Sequence, residues 1–131
     1  MVVDSSAITA MIVGEPEREL FEDLIMRVPT PVISVAAVVE ISIVLRNKRR
    51  DADADALDEV LSELRLDVRA VDASQGRLAR EAFAQYGKGR HPAALNFGDC
   101  FTYALAKARD DILLFKGDDF ARTDIVPAWR P

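Results

Sequence analysis

Carboxylates occupy four places along this chain where an apolar residue would suit a fold better. Asp4 closes the apolar opening MVV and is followed by the hydroxyl residues Ser5 and Ser6. Glu40 interrupts the apolar run from Val35 to Leu45, and Asp99 stands among Phe97, Cys100 and Phe101. Asp118 and Asp119 come just after the apolar stretch Ile112–Phe115. Each has a plain structural reading. Asp4 and Asp99 suit helix N-termini, Glu40 suits a solvent stripe or a buried arginine, and Asp118 and Asp119 suit the cap of a turn at Phe120. Convergence of the four points elsewhere. Two like charges ~4 Å apart repel by about 4 kcal/mol at an effective dielectric of about 20, against about 5–15 kcal/mol of total stability for a small domain. A divalent cation reverses the sign of that cost. An all-oxygen donor set selects hard Mg2+ or Mn2+ rather than zinc, and such an ion polarises phosphate and activates water.

The elements that must position these acids follow from spacing and punctuation. Met1–Val3 reads as a short buried strand. Ser5 and Ser6 cap a helix through Ile8, Met11 and Ile12 that Gly14 ends. Pro16 opens a second helix, Glu17 to Arg27, with Leu20, Phe21, Leu24 and Ile25 at helical spacing. Val32 and Ile33 form a second strand. Ser34 caps a helix that is apolar nearly all round, hence buried, and ends in Arg46, Lys48, Arg49 and Arg50. An amphipathic helix follows over DADADALDEVLSELRLD, with Leu57, Val60, Leu61 and Leu64 on one face. A strand over Val68–Val71 precedes a helix from Ala73 to Tyr86, with Leu78, Ala79, Ala82 and Phe83 inward. The loop Gly87–Ala93 leads to a helix over Asp99–Ala108, a strand over Ile112–Phe115, and an edge strand at Asp124, Ile125 and Val126. Strands alternating with helices predict an α/β fold. We expect one domain over residues 1–131, with a mostly parallel twisted sheet of about five short strands and helices on both faces. Ligands of such sheets sit at the carboxyl ends of the strands, where Asp4, Asp118 and Asp119 fall.

Composition narrows the possibilities. The chain has 131 residues, half of them hydrophobic, and a formal charge of −5. That balance argues against coating nucleic acid by charge alone, which calls for a basic surface. There is no apolar run long enough to span a bilayer, no basic n-region of a signal peptide, and a single cysteine, Cys100. A cytoplasmic location without membrane attachment is the expectation. Asp51, Asp53 and Asp55 resemble the start of an EF-hand loop, but Ala56 and Ser62 stand where glycine and glutamate are needed; they read as a solvated helix start. His91 cannot build a zinc site alone. Cys100 reads as a packed small residue. Trp129 suits packing on the sheet and contact with a partner equally well.

With these residues in hand, the chain resembles a PIN-domain ribonuclease, specifically a VapC-type toxin of a type II toxin–antitoxin pair. The likeness spans nearly the whole length. VVDSSAI resembles the family's opening aspartate with a hydroxyl residue two places on, ISVAAVVEISIVL its glutamate segment, LNFGDCFTYALAKA its most specific acidic segment, and FKGDDFARTDI its closing one. The resemblance implies a Mg2+- or Mn2+-dependent endoribonuclease. Asp4, Glu40 and Asp99 would hold the metal directly or through water, with Asp119 as the fourth acid and Asp118 as its substitute. Ser6 and Asn96 would hydrogen-bond around the acids, although both are equally good helix caps. Lys88 and Arg90 would meet RNA phosphates, or simply lie in a solvent loop. The same resemblance implies homodimers and a cognate antitoxin that lies across the acidic cleft, often presenting an arginine to it. Two other functions stay open. An aspartyl-phosphate phosphatase would use Asp4 as nucleophile but calls for a second aspartate where Ser6 stands. A non-catalytic module would keep the fold for partners alone.

Overall fold

Successive side chains of a strand point to opposite faces, and the division set by Val2 and Val3 runs through the whole molecule. The computed structural model describes residues 1–131. Strands β1 (Val2–Val3), β2 (Val32–Ser34), β3 (Asp67–Arg69) and β4 (Leu113–Leu114) form a parallel sheet in the order β3-β2-β1-β4. Val2 pairs with Val32 on one side and Leu113 on the other. On one face Val3, Ile33 and Leu114 share a core with α1 (Ser5–Val13), α2 (Arg18–Met26), α3 (Val35–Asn47), α4 (Asp51–Asp55) and α5 (Leu57–Glu63). On the other, Val2, Val32 and Leu113 pack with α6 (Ala73–Tyr86) and α7 (Phe97–Arg109). The chain leaves β1 toward β2 and returns to pair β4 on the opposite side. The carboxyl end of β1 is therefore the switch point where such sheets bind ligands, and Asp4 is the next residue.

Several expectations need correction. The sheet has four strands, not about five. The segment at Asp124–Val126 touches β4 only where the Leu113 amide donates to the Val126 carbonyl (3.0 Å) and the Ala128 amide to that of Leu113 (2.8 Å). Those two bonds make a single parallel bridge, Leu113 with Pro127, and not a strand. The third strand is Asp67–Arg69 rather than Val68–Val71, on the sheet's edge. The acidic stretch after Arg50 breaks at Ala56 into α4 and α5. Its acids pair with the preceding basic run: Arg46 with Asp55 (2.8 Å) and Asp51 (3.4 Å), Arg50 with Asp53 (2.7 Å).

The long apolar helix is the largest departure. Only Ala37, Ile41 and Leu45 of α3 are buried, and they face the sheet. Val35, Val39 and Ile43, spaced four apart, are exposed because no element of the chain covers that side. Phe83 likewise points out of α6, which packs through Ala79, Ala82 and Tyr86 instead. With Phe97 and Phe101 it lines an apolar groove of about 450 Å³ between α6 and α7. Trp129 packs edge-on against Phe21 of α2, ring centres 5.4 Å apart. No helix is long and apolar enough to cross a membrane.

Candidate active site

Asp4 is at once strand end and helix cap. Its backbone is extended, and its amide donates to the Leu114 carbonyl at 2.9 Å, so the β1–β4 pairing fixes its position. One carboxylate oxygen, Oδ2, accepts from the Ser6 amide (3.0 Å) and the Ser6 hydroxyl (2.6 Å). The Ser6 hydroxyl accepts in turn from the Lys116 amide (3.0 Å), which ties the end of β4 to the same carboxylate. Ser6 therefore lies inside α1 and holds Asp4, while Asp4 itself caps the helix. The other oxygen, Oδ1, is buried and has no hydrogen-bond partner. A buried acceptor left unmatched is destabilising by about 1–3 kcal/mol, more when charged.

Asp99 is placed by a capping box. The Asn96 side chain accepts from the Asp99 amide (2.9 Å), and the Asp99 carboxylate accepts from the Asn96 amide (3.0 Å). These bonds satisfy the first turn of α7 and explain why the helix begins at Phe97, two residues before the expected start. Asp99 is only 8% exposed. Burial raises its pKa to about 7; the Asn96 amide opposes that, and the charges of Asp4, Asp119 and Glu40 add to it. Asp119, at the start of the 3-10 turn Phe120–Arg122, is also raised, by partial desolvation first and then by Asp4 and Asp118. Asp118 turns toward a depression shared with Lys116, Trp129 and Arg130.

Glu40 is half-buried in the middle of α3 and accepts a hydrogen bond from the Ser5 hydroxyl. Sequence reasoning passed over Ser5, because a serine after Asp4 reads as a cap like its neighbour; the clue was two consecutive hydroxyls for two acids. Lys116 extends its ammonium away to Glu15 and to Glu17 (2.9 Å). Lys88 and Arg90 are exposed in the loop after α6, where the Lys88 amide bonds the Leu95 carbonyl (2.9 Å), one residue before Asn96. His91 accepts from the Ala93 amide (3.0 Å) and packs edge-on against Tyr86, a structural duty. Cys100 is buried in the core.

No three of the acids stand close enough to form a ready-made metal cage. What links Asp4, Glu40, Asp99 and Asp119 is charge: Asp99 feels Asp4, Asp119 and Glu40, and Asp119 feels Asp4. The unmatched Asp4 oxygen and the all-oxygen donor set fit a hard divalent ion, which would supply the partner that Oδ1 lacks.

The family model of the PIN domain matches residues 1–126. The chain is a PIN-domain protein. Within that family it belongs with the VapC ribonucleases. A "Ribonuclease VapC" from Mycolicibacterium smegmatis is 43% identical over 126 residues, covering 96% of this chain and 98% of that protein. The PIN fold is shared with Mycobacterium tuberculosis VapC20, described as a Sarcin-Ricin loop cleaving toxin (TM-score 0.80, 19% identity, 99% of this chain and 98% of that one). It is shared too with a toxin–antitoxin complex from Klebsiella pneumoniae (TM-score 0.71, 15% identity, 99% and 98%).

Proposed function

We propose that this VapC-type PIN domain is a cytoplasmic toxin made of one domain over residues 1–131, and that it hydrolyses RNA phosphodiester bonds with Mg2+ or Mn2+. The observation that carries this reading is the buried Asp4 Oδ1, which has no hydrogen-bond partner; beside it, Asp99 is pushed up to about 7 by burial first and then by the charges of Asp4, Asp119 and Glu40. Asp4, Asp99 and Glu40 would hold the ion, directly or through water, with Asp119 as the fourth acid. Asp119 is favoured over Asp118 because it feels the charge of Asp4. When bound, the ion supplies charge neutralisation at the phosphate and a more acidic water.

The chain's own residues do the rest. Ser6 keeps Asp4 Oδ2 engaged and leaves Oδ1 free to ligate. Asn96 holds Asp99 by its backbone amide, so the carboxylate stays fixed while one oxygen remains available. Lys88 and Arg90 offer positive charge to RNA phosphates on an otherwise acidic molecule. The same acidity suits an arginine presented by a cognate antitoxin across the cleft. The deciding experiment incubates purified, antitoxin-free protein with structured RNA in Mg2+, in Mn2+ and in EDTA. Cleavage in metal and none in EDTA is expected. A folded protein that cuts nothing under any condition would leave a non-catalytic binding module in its place.

The partner reading also includes a second copy of the chain. Its support is the exposed apolar stripe of Val35, Val39 and Ile43 and the nearby rim at Phe97, which is 80% exposed. Monomers rarely leave such surface bare. Val39→Asp is expected to turn a dimer into a monomer in light scattering while the monomer stays folded by circular dichroism, since Val39 is outside the core. An unchanged mass would remove α3 from the interface.

A further inference from the structure

Glu40 stands on α3, a different helix from Asp99, and a glutamate has three rotatable torsions with which to miss. Two residues shape the place where its carboxylate rests. The hydroxyl of Ser5, itself 7% exposed and so shielded from competing water, donates to Glu40 Oε1. On the far side lies Gly98, where any β-carbon would overlap Oε2 and Cδ of the same carboxylate. Gly98 sits in the first turn of α7 with ordinary helical backbone, so its conformation does not call for glycine. Glycine is a poor helix residue; its use here makes sense as room for Glu40.

We propose that Ser5 and Gly98 are positioning residues that fix the Glu40 carboxylate against the first turn of α7, which carries Asp99, Ser5 by holding one oxygen and Gly98 by leaving space for the other. The stretch Asp4-Ser5-Ser6 then has a divided duty, in which consecutive hydroxyls about 100° apart on the helix serve two different acids. Ser6 holds Asp4 and Ser5 holds Glu40. The catalytic consequence rests on the proposed ribonuclease reading; the clamp does not.

The test measures Mn2+ affinity by EPR titration without RNA, melting temperature, and kcat and KM for RNA cleavage. Ser5→Ala is expected to lower kcat by about 10- to 100-fold at unchanged KM, the scale of a misplaced catalytic group, and to weaken Mn2+ binding several-fold. Ser5→Thr restores most of both, since it keeps the hydroxyl. In a Glu40→Gln background, Ser5→Ala adds no further loss. Gly98→Ala lowers kcat similarly while the melting temperature holds or rises, because alanine favours the helix. Wild-type Mn2+ affinity and kcat in Ser5→Ala would overturn the proposal, as would a full extra loss in the Glu40→Gln background. So would a Gly98→Ala protein that melts lower yet cuts normally, which makes that glycine a servant of the fold. If the wild-type protein cuts no RNA, the ribonuclease reading fails, and the Mn2+ titration still decides the clamp.

Discussion

Asp99→Asn should remove RNA cleavage, by about 10²-fold or more, and at the same time make the metal-free protein harder to unfold at neutral pH. Asparagine keeps the acceptor that the Asn96 amide needs and sheds a charge that burial and three neighbouring carboxylates oppose. The folded-state pKa of Asp99, about 7, lies above its ordinary value of 3.8. A raised carboxylate pKa means the folded state holds the proton more tightly than the unfolded one. The metal-free wild type is therefore relieved of this strain below pH 4 and loses stability as pH rises from 4 to 7. By pH 8 the loss is on the order of 4 kcal/mol, so Asp99→Asn should melt about 10 °C above wild type there. The two curves should converge near pH 4. A variant that melts lower than wild type at pH 8 would show that Asp99 serves the fold rather than working against it.

Divalent ions should undo the same strain without mutation. An ion that binds only the folded state stabilises it by about 2.7 kcal/mol when its free concentration is about 100 times its Kd. Binding requires Asp99 to lose its proton, so affinity should fall about tenfold for each pH unit below 7. Calorimetric titration of Mn2+ between pH 5.5 and 8, repeated in buffers of different ionisation enthalpy, reads both the slope and the proton released. A flat affinity across that range would take Asp99 out of the ligand set. Asp99→Asn should flatten the slope as well as weaken binding.

Much of this arrangement was legible in the sequence, for reasons that differ by residue. Asp4 at the end of β1 could be read because a bare carboxylate after two valines has no other natural neighbour than a strand's exit. The register of β1 between β2 and β4 could not, because strands of two or three residues carry no period. The excess fifth strand has the same origin: Ile125 and Val126 have strand-like side chains, yet the segment makes a single bridge to β4, at Pro127. The burial of α3 was misjudged because residue type reports what a helix prefers to cover, not whether anything in the chain covers it; Val39 and Ile43 are left out. Gly98 and Ser5 were invisible for a third reason. Their meaning lies in Glu40, which is 58 and 35 positions away, and only the folded geometry brings them to one carboxylate.

The pairing of β4 with β1 also sets a clock on synthesis. Asp4 leaves the ribosome well before its partners: the carbonyl that holds its amide belongs to Leu114, and the amide that holds Ser6 belongs to Lys116, 110 positions on. Domains form as the chain emerges, at about 5–20 residues per second, but here β1 must wait for β4. A chain interrupted before Leu114 lacks the carbonyl that fixes the Asp4 amide and the strand that pairs with β1. The interval before that strand arrives is also the time in which a co-translated partner could reach the nascent protein before Asp4 is held in place.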